Sequence, residues 1–413
     1  DPAQGYADLI ACRDLGLASG EVWWRSFALW ALSVLRWRAG DHPGATAAAK
    51  ESLEVRRLVE EEQFGVGLSL ESLAWIACSE RRDQRGALLL GASQRMWRAM
   101  HMSLSSFRSL DRFHHETVSA VRDRLGDRPN AYPEPFPFIR KMACNFGWDW
   151  GPTLVTAGIW RPVRIERWST ARIARVRPLV SVEQGVGVVE LAVEVERAQV
   201  EAPLTVEATV GGVRARASMD GSQGVVRLEV PSPLLWWPRG YGEQPLYDVE
   251  LTLLHEDRPL DVWRRRIGFR TVELDRSADE HGTGFCLVVN GERVFARGVN
   301  WIPDDVFPSR ITRERYRERL GQAAGAGVDL VRIWGGGIYE SEDFYDACDE
   351  SGLLVWQDFP FACAAYPEEQ PLRGEVEAEA RQHVVRLASH PSLVLWTGNN
   401  ENIWGHEDWG WKE

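Results

Sequence analysis

The sequence predicts a multidomain protein with three parts: an α-helical repeat segment, an antiparallel β-sandwich, and the first four βα units of a (β/α)8 barrel. Three patterns predict this architecture. Apolar residues recur at three- and four-residue spacing up to about residue 127, short alternating runs follow to about 274, and strands then alternate with amphipathic helices. A chain of 413 residues is long enough for two to four domains.

The first part, residues 1–127, is predicted to form helical hairpins. Two Gly-Ala pairs, at 44–45 and 86–87, lie 42 residues apart, and each follows an apolar helix and a polar turn. This spacing indicates a weak internal repeat of helix hairpins. The run 128–137 contains four prolines, which remove backbone donors and fix φ, so we place the first domain boundary there.

The second part, from about 138 to 274, is predicted to be β-structure. Apolar and β-branched residues alternate with polar ones in several short runs separated by Gly and Pro turns, which is typical of an antiparallel sandwich. The runs cover 188–193, 204–208, 225–230 and 247–253.

The third part, from about 275, alternates strands and helices, which predicts a parallel sheet. The expected strands are 293–299, 328–334, 353–357 and 393–396, and the expected helices are 312–326, 342–350 and 373–388. Polar and aromatic residues follow the predicted strands, where βα barrels carry their chemistry. A full barrel needs about 250 residues, so we expect half of one here.

Composition narrows the function classes. The net charge of -12 disfavours nucleic-acid binding, and no uncharged apolar run is long enough to cross a membrane. The six cysteines form no CxxC motif, which favours free thiols and, weakly, a cytoplasmic location. Twenty tryptophans are explained either by an aromatic-rich core or by stacking against sugar rings.

Six motifs give the chain a resemblance to β-mannosidases of glycoside hydrolase family 2 over residues 128–413. They are FGWDWGP at 146–152, AGIWRPV at 157–163, GVNWIP at 298–303, VRIWGGG at 331–337, VWQDF at 355–359 and TGNNE at 397–401. The resemblance implies a jelly-roll remnant at 128–170, an immunoglobulin-like sandwich at 171–274 and the N-terminal half of a TIM barrel at 275–413. The helical segment resembles the tetratricopeptide-like repeats of LuxR-type ATPase regulators.

The resemblance also implies roles for residues of the sugar site. Glu401 matches the acid/base, Asn400 the residue that bonds the sugar 2-hydroxyl, and Asp149 a residue that reaches in from the jelly-roll. Trp334 and Trp409 match the pocket walls. Each also has a simpler interpretation: a solvated Glu, an Asn or Asp in a turn, or tryptophans in a core.

Four more residues at strand ends are candidates for the site. Asn300, Trp301 and Asp304 follow the first barrel strand and are expected at the rim, with ordinary packing as the alternative. Asp358 ends the third strand, and we expect it to orient its neighbours rather than attack carbon. The implied reaction is retaining removal of terminal β-D-mannose, without a metal or another cofactor.

The family's nucleophile is a Glu on the seventh barrel strand, and no residue of the sequence matches it. We therefore expect a chain truncated at both ends of the family pattern, carrying the acid/base without its partner. The alternatives are a catalytically inert fusion that binds a protein partner through the helical segment, or a sugar-binding pseudoenzyme. The expected ligand is a β-mannoside, with neither nucleic acid nor membrane as a partner.

Overall fold

A computed structural model describes residues 2–57, 63–100, 107–125, 136–198 and 202–411. It divides the chain into two compact units, one of residues 1–139 with 365–367, and one of residues 140–364 with 368–413. Residues 128–135 of the proline-rich run, where the sequence places a boundary, lie outside the described residues. In the part of the chain that the structure describes, no helix is both long and apolar enough to cross a membrane.

The first unit is helical in its described residues, as predicted. Asp41 caps the third helix by accepting a hydrogen bond from the Gly44 amide at 2.9 Å. Trp75 and Trp97 form an aromatic core with partly buried rings around them. The helices are α1 (Pro2–Ser19), α2 (Trp23–Arg38), α3 (His42–Arg56), α4 (Gln63–Ser79), α5 (Asp83–Ala99) and α6 (Arg108–Leu125). Their resemblance to a tetratricopeptide-like repeat stays a prediction.

The second unit opens with a short hairpin and continues as a two-sheet β-structure. Strands β1 (Phe146–Trp148) and β2 (Gly151–Thr153) pair antiparallel and are the regular strands within residues 138–170. One sheet has the order β3-β4-β7 and the other β6-β5-β8-β9. These strands are β3 (Ala171–Glu183), β4 (Val186–Arg197), β5 (Thr205–Val210), β6 (Val213–Ser218), β7 (Gln223–Pro231), β8 (Tyr247–His255) and β9 (Arg258–Ile267).

The alternation read from the sequence explains how the two sheets pack. Every second residue of β5 and β8 is buried, so one face of each strand enters a shared core of Val, Leu and Ile side chains. All four runs predicted as strands lie mainly within β4, β5, β7 and β8. The prediction of a sandwich-like pair of sheets is therefore confirmed.

Short antiparallel strands connect this sandwich to a parallel sheet. They are β10 (Val272–Asp275), β11 (Ala278–Asp279), β12 (Gly282–Thr283), β13 (Cys286–Val289) and β14 (Glu292–Val294). The prediction of a single strand at 293–299 is wrong. Its first residues pair with β13 in a hairpin, whereas Gly298 and Val299 begin a separate parallel strand.

The parallel sheet has the order β15-β16-β17-β18, with helices between its strands. The strands are β15 (Gly298–Trp301), β16 (Leu330–Ile333), β17 (Leu354–Asp358) and β18 (Leu393–Thr397), and the helices are α7 (Arg313–Gly325), α8 (Glu342–Ser351), α9 (Leu372–Leu387) and α10 (Asn402–Glu407). The expected strand–helix alternation is present. That the sheet is half of an eight-stranded barrel stays a prediction.

Candidate sugar site at the strand ends

The candidate site lies at the carboxyl edge of the parallel sheet, because the register brings the four strand ends level. Trp301 pairs with Ile333 and Asp358 with Thr397, so the residues that follow each strand emerge side by side. Sites of parallel α/β sheets occupy this edge, where loops carry side chains on a rigid frame.

Two of these loops are joined by backbone hydrogen bonds. The Asn400 amide donates to the Phe361 carbonyl at 2.9 Å, and the Cys363 amide donates to the Asn400 carbonyl at 3.0 Å. Ala362 and Asn400 thereby form a parallel bridge beyond the ends of β17 and β18. The loops are therefore fixed relative to each other.

Two predicted site residues, Asn400 and Glu401, hydrogen-bond to the Cys363 thiol. Its Sγ donates to Glu401 Oε2 at 3.2 Å and accepts from Asn400 Nδ2 at 3.4 Å. Burial, the Glu401 carboxylate and the charge of Asp149 together raise the pKa of Cys363 to about 12. Asp149 lies in the turn of the β1–β2 hairpin, and its charge is the smallest of these contributions to the pKa of Cys363.

Arg332 is the centre of a second group of contacts. Its Nε and Nη2 bind the two carboxylate oxygens of Asp358 at 3.1 and 2.6 Å. The same guanidinium reaches Asn400 Oδ1 at 3.1 Å and Asn300 Oδ1 at 3.4 Å. Burial raises the pKa of Asp358, and Arg332 with the Gly335 amide opposes that rise. These contacts fit the interpretation that Asp358 orients its neighbours.

Tryptophans form one wall of the site. Trp334 is buried, and the rings of Trp148 and Trp150 meet it edge-on at centroid distances of 5.0 and 5.6 Å. Trp334 also belongs to an apolar cluster with Cys363, so the wall and the thiol share one packing unit. Trp409 is exposed and packs edge-on against Trp411, beyond α10.

Trp301 and Asp304 point away from the thiol and arginine groups. Trp301 donates from Nε1 to the buried Glu340 carboxylate at 2.9 Å and packs on Phe344. Asp304 is paired with Arg315 and Arg319 on α7. Both side chains therefore support the packing of helices on the sheet.

Sequence reasoning missed two residues of the site, Cys363 and Arg332. The sequence does contain an indication for Arg332, since a charged residue within a strand of otherwise apolar residues needs a buried partner. The cysteine had none in the sequence, because its loop reaches Glu401 only through the pairing with Asn400.

Among the described residues, one group of side chains has the geometry to hold a metal ion: Asp346, Asp349 and His390. The charges of this group are already paired. His390 Nδ1 lies 2.6 Å from Asp349 Oδ2, and Arg266 binds Asp346 at 3.2 Å. Because these partners already balance the charges of the group, we assign no metal site to it.

Comparison with known proteins gives the chain a family context. Residues 109–161 match the model "Glycosyl hydrolase 2 galactose-binding domain-like", and residues 171–270, which span the sandwich, match "Glycosyl hydrolases family 2". Similar curated proteins are β-mannosidase B of Thermothelomyces thermophilus, 40% identical over 66% of this chain and 32% of the relative, and β-mannosidase B of Aspergillus fumigatus, 41% identical over 66% and 33%.

Solved structures agree with this context. The β-D-mannosidase of Dictyoglomus thermophilum has a TM-score of 0.65 and 40% identity, covering 69% of this chain and 36% of its own. The exo-chitosanase CsxA of Amycolatopsis orientalis, at 21% identity and a TM-score of 0.50, shares the fold over 56% of this chain and 29% of its own. The chain spans about a third of the length of the curated relatives it matches. The chain thus contains domains of glycosyl hydrolase family 2 and is related to β-mannosidases over about two thirds of its length.

Proposed function

We propose that the chain carries the acid/base part of a retaining exo-β-mannosidase, which removes terminal non-reducing β-D-mannose. The observation that supports this most is that Asn400 and Glu401 both hydrogen-bond to the Cys363 thiol, which lies in the same apolar cluster as Trp334. These residues come from separate motifs, in a chain about 40% identical to β-mannosidases over 66% of its length.

The proposed chemistry assigns one task to each group. Glu401 protonates the departing glycosidic oxygen and later removes a proton from water, as the acid/base of a retaining enzyme does. Asn400 bonds the sugar 2-hydroxyl, an interaction that strengthens in the transition state. Trp334 presents an aromatic wall to the sugar, and Asp149 binds its hydroxyls.

We further propose that these 413 residues supply the acid/base without the nucleophile. A retaining enzyme needs two carboxyl groups about 5 to 5.5 Å apart, one on each side of the sugar bond. Asp358 is a poor candidate because both of its oxygens are bound by Arg332 and it is fully buried. Resemblance places the nucleophile on a seventh barrel strand.

An aryl β-mannoside assay of the polypeptide 1–413 tests the mechanism. We expect no turnover with the polypeptide alone, under conditions where the Dictyoglomus thermophilum β-D-mannosidase is active. Azide or formate supplies an external nucleophile, and any rate it restores should vanish in Glu401→Gln. Turnover without an additive that is lost in Glu401→Gln would show that the second carboxylate lies within these residues.

A binding measurement separates the proposed function from an inert fusion. Tryptophan fluorescence should change on titration with a mannose-configured inhibitor and respond much less to its galactose-configured analogue. Asn400→Ala should weaken the mannose-configured complex by about two- to tenfold, since the net contribution of a neutral hydrogen bond is about 0.5–1.5 kcal/mol. Specific binding without turnover, even with added azide, would favour the pseudoenzyme. Absence of binding would contradict the proposal.

Three further expectations belong to this proposal. The domains are residues 1–127, 128–170, 171–274 and 275–413; the match at 171–270 supports the third, whereas the match at 109–161 begins inside the first. The helical segment binds a protein partner, for which its separate core is the support. The location is cytoplasmic, since the structure gives all six cysteines as free thiols and reducing compartments favour them.

A further inference from the structure

Two strained residues of the site face each other. Cys363 and Glu401 both have left-handed backbones, at φ of 50° and 61°, although neither is glycine. Such conformations are costly for residues with a Cβ and gather at functional sites. Here the strain has a visible result, because it turns the two side chains to a separation of 3.2 Å between Sγ and Oε2.

We propose that the Cys363 thiol is a positioning residue that holds the Glu401 carboxyl in the sugar site through a direct hydrogen bond. The inference rests on the proposed role of Glu401 as the acid/base. Cys363 acts through Glu401 and is assigned no contact with the reacting atoms.

A thiol suits this position because an acid/base residue changes its protonation during the reaction. The S–H group donates to an ionised carboxylate, and the sulfur accepts from a protonated carboxylic acid. The same neighbour can therefore hold Glu401 in both states. The thiol is 5% exposed, so little water competes for the bond, whereas the Glu401 side chain stays accessible from outside.

Asn400 fixes the thiol from the other side. Its Nδ2 donates to Cys363 Sγ, and its Oδ1 accepts from Arg332, so the two ends of the amide have different partners. The backbone bond between the Cys363 amide and the Asn400 carbonyl holds the same pair. A continuous series of hydrogen bonds therefore runs from Arg332 through Asn400 and Cys363 to the carboxyl group of Glu401.

Cys144 is a matched control for Cys363. Both thiols are buried in the same apolar cluster, with 7% and 5% of their surfaces exposed. Burial is the main cause that raises the pKa of each to about 12. The carboxylate that adds to the rise is Glu340 for Cys144 and Glu401 for Cys363, so a change at Glu401 should affect Cys363 alone.

The pairing is tested by alkylation of the full chain with iodoacetamide between pH 8 and 10, with each cysteine followed by mass spectrometry. Thiolates are the reactive form, so Glu401→Gln, which lowers the pKa of Cys363, should speed its alkylation several-fold. Cys144 should keep its rate, and the exposed control Glu407→Gln should change neither thiol. A Cys363 rate within twofold of the wild type in Glu401→Gln would overturn the inference.

The positioning role is tested by the affinity for the mannose-configured inhibitor as a function of pH. Cys363→Ala should weaken inhibitor binding and change the shape of its pH profile. Cys363→Ser should have the affinity and pH profile of the wild type, because Ser keeps a hydrogen-bond donor and an acceptor. Cys144→Ala should also match the wild type. An unchanged profile in Cys363→Ala would refute positioning. Faster alkylation in Glu401→Gln together with no sugar binding by the wild type would refute the proposed function while leaving the thiol–carboxylate pair standing.

Discussion

Replacing Arg332 with Met should destabilise the parallel sheet strongly, because it leaves the Asp358 carboxylate buried without its counter-ion. Asp358 is fully buried, and its two oxygens accept hydrogen bonds from Arg332 at 3.1 and 2.6 Å. The Gly335 amide, at 3.0 Å, would remain as a donor. Met has a similar length and no charge, so the change removes the guanidinium with little loss of packing.

Removing one partner of a buried ion pair typically costs about 3–5 kcal/mol, and we expect a loss in that range at pH 7. The matched control is Arg381→Met, since Arg381 forms an exposed i,i+4 pair with Glu377 in α9. Exposed pairs contribute about 0–1 kcal/mol, so this control should change little. Adding Asp358→Asn to Arg332→Met should recover part of the loss, because the amide carries no charge.

The pH dependence gives an independent check. Burial raises the pKa of Asp358 in the folded protein above that of the unfolded chain, and loss of Arg332 should raise it further. At a pH between the folded-state pKa of the wild type and that of Arg332→Met, only the folded variant carries a proton on Asp358. In this range the variant gains stability as pH falls, whereas the wild type gains little. The gap between Arg332→Met and wild type should therefore narrow from pH 7 to pH 4.5.

Urea denaturation followed by tryptophan fluorescence measures these differences, with hydrogen exchange of peptides covering 330–333 to assign the transition to the sheet. A loss below about 1 kcal/mol for Arg332→Met, or a gap that does not narrow at low pH, would refute the account of Asp358 as a buried ionised group held by Arg332.

Three further predictions use the same assay. Burial lowers the pKa of His390, but the charges of Asp349 and Glu342 outweigh it and raise the pKa to about 9. About 3 kcal/mol of folding stability, fully present below pH 6.5, should therefore disappear as pH rises through 9. A free energy of unfolding that does not change up to pH 10 would contradict this. Gly335→Ala would place Cβ 2.4 Å from the Phe361 carbonyl oxygen and should cost about 1–3 kcal/mol, whereas Gly321→Ala in α7 meets no atom and should stabilise by up to about 1 kcal/mol; equal effects would be inconsistent with this packing. Trp409→Ala should lower the urea midpoint only modestly, since the side chain is 43% exposed, and should weaken inhibitor binding; unchanged affinity would remove Trp409 from the site.

The sequence predicted the regular elements well where hydrophobic periodicity is strong. The helix expected at 373–388 is observed at Leu372–Leu387, and the strand expected at 393–396 at Leu393–Thr397. The prediction failed at 293–299, where one run of residues contributes to two strands that pair with different neighbours. The local sequence pattern predicts that a segment is extended, but it does not predict which strand the segment pairs with, because the partner can lie far along the chain.

The site was predicted only as far as motifs and strand ends allowed. Trp334 directly follows β16, and Asn400 and Glu401 lie three and four residues after β18, so the alternation predicts that they share one edge of the sheet. Trp301 also ends a strand, yet it turns toward Glu340 and Phe344, because successive residues of a strand face opposite sides. The thiol of Cys363 reaches Glu401 through two positive φ angles, which no periodicity encodes.

The guanidinium of Arg332 touches side chains from three separate loops or strands, and this limits how the site can be redesigned. Asn300, Asp358 and Asn400 each depend on the same planar group, so none can be exchanged without altering the hydrogen bonds of the other two. Single substitutions at these positions should therefore disturb the whole group of hydrogen bonds, whereas combined substitutions can rebuild it. Libraries that vary these four positions together, rather than one at a time, are the appropriate way to explore alternatives to this group.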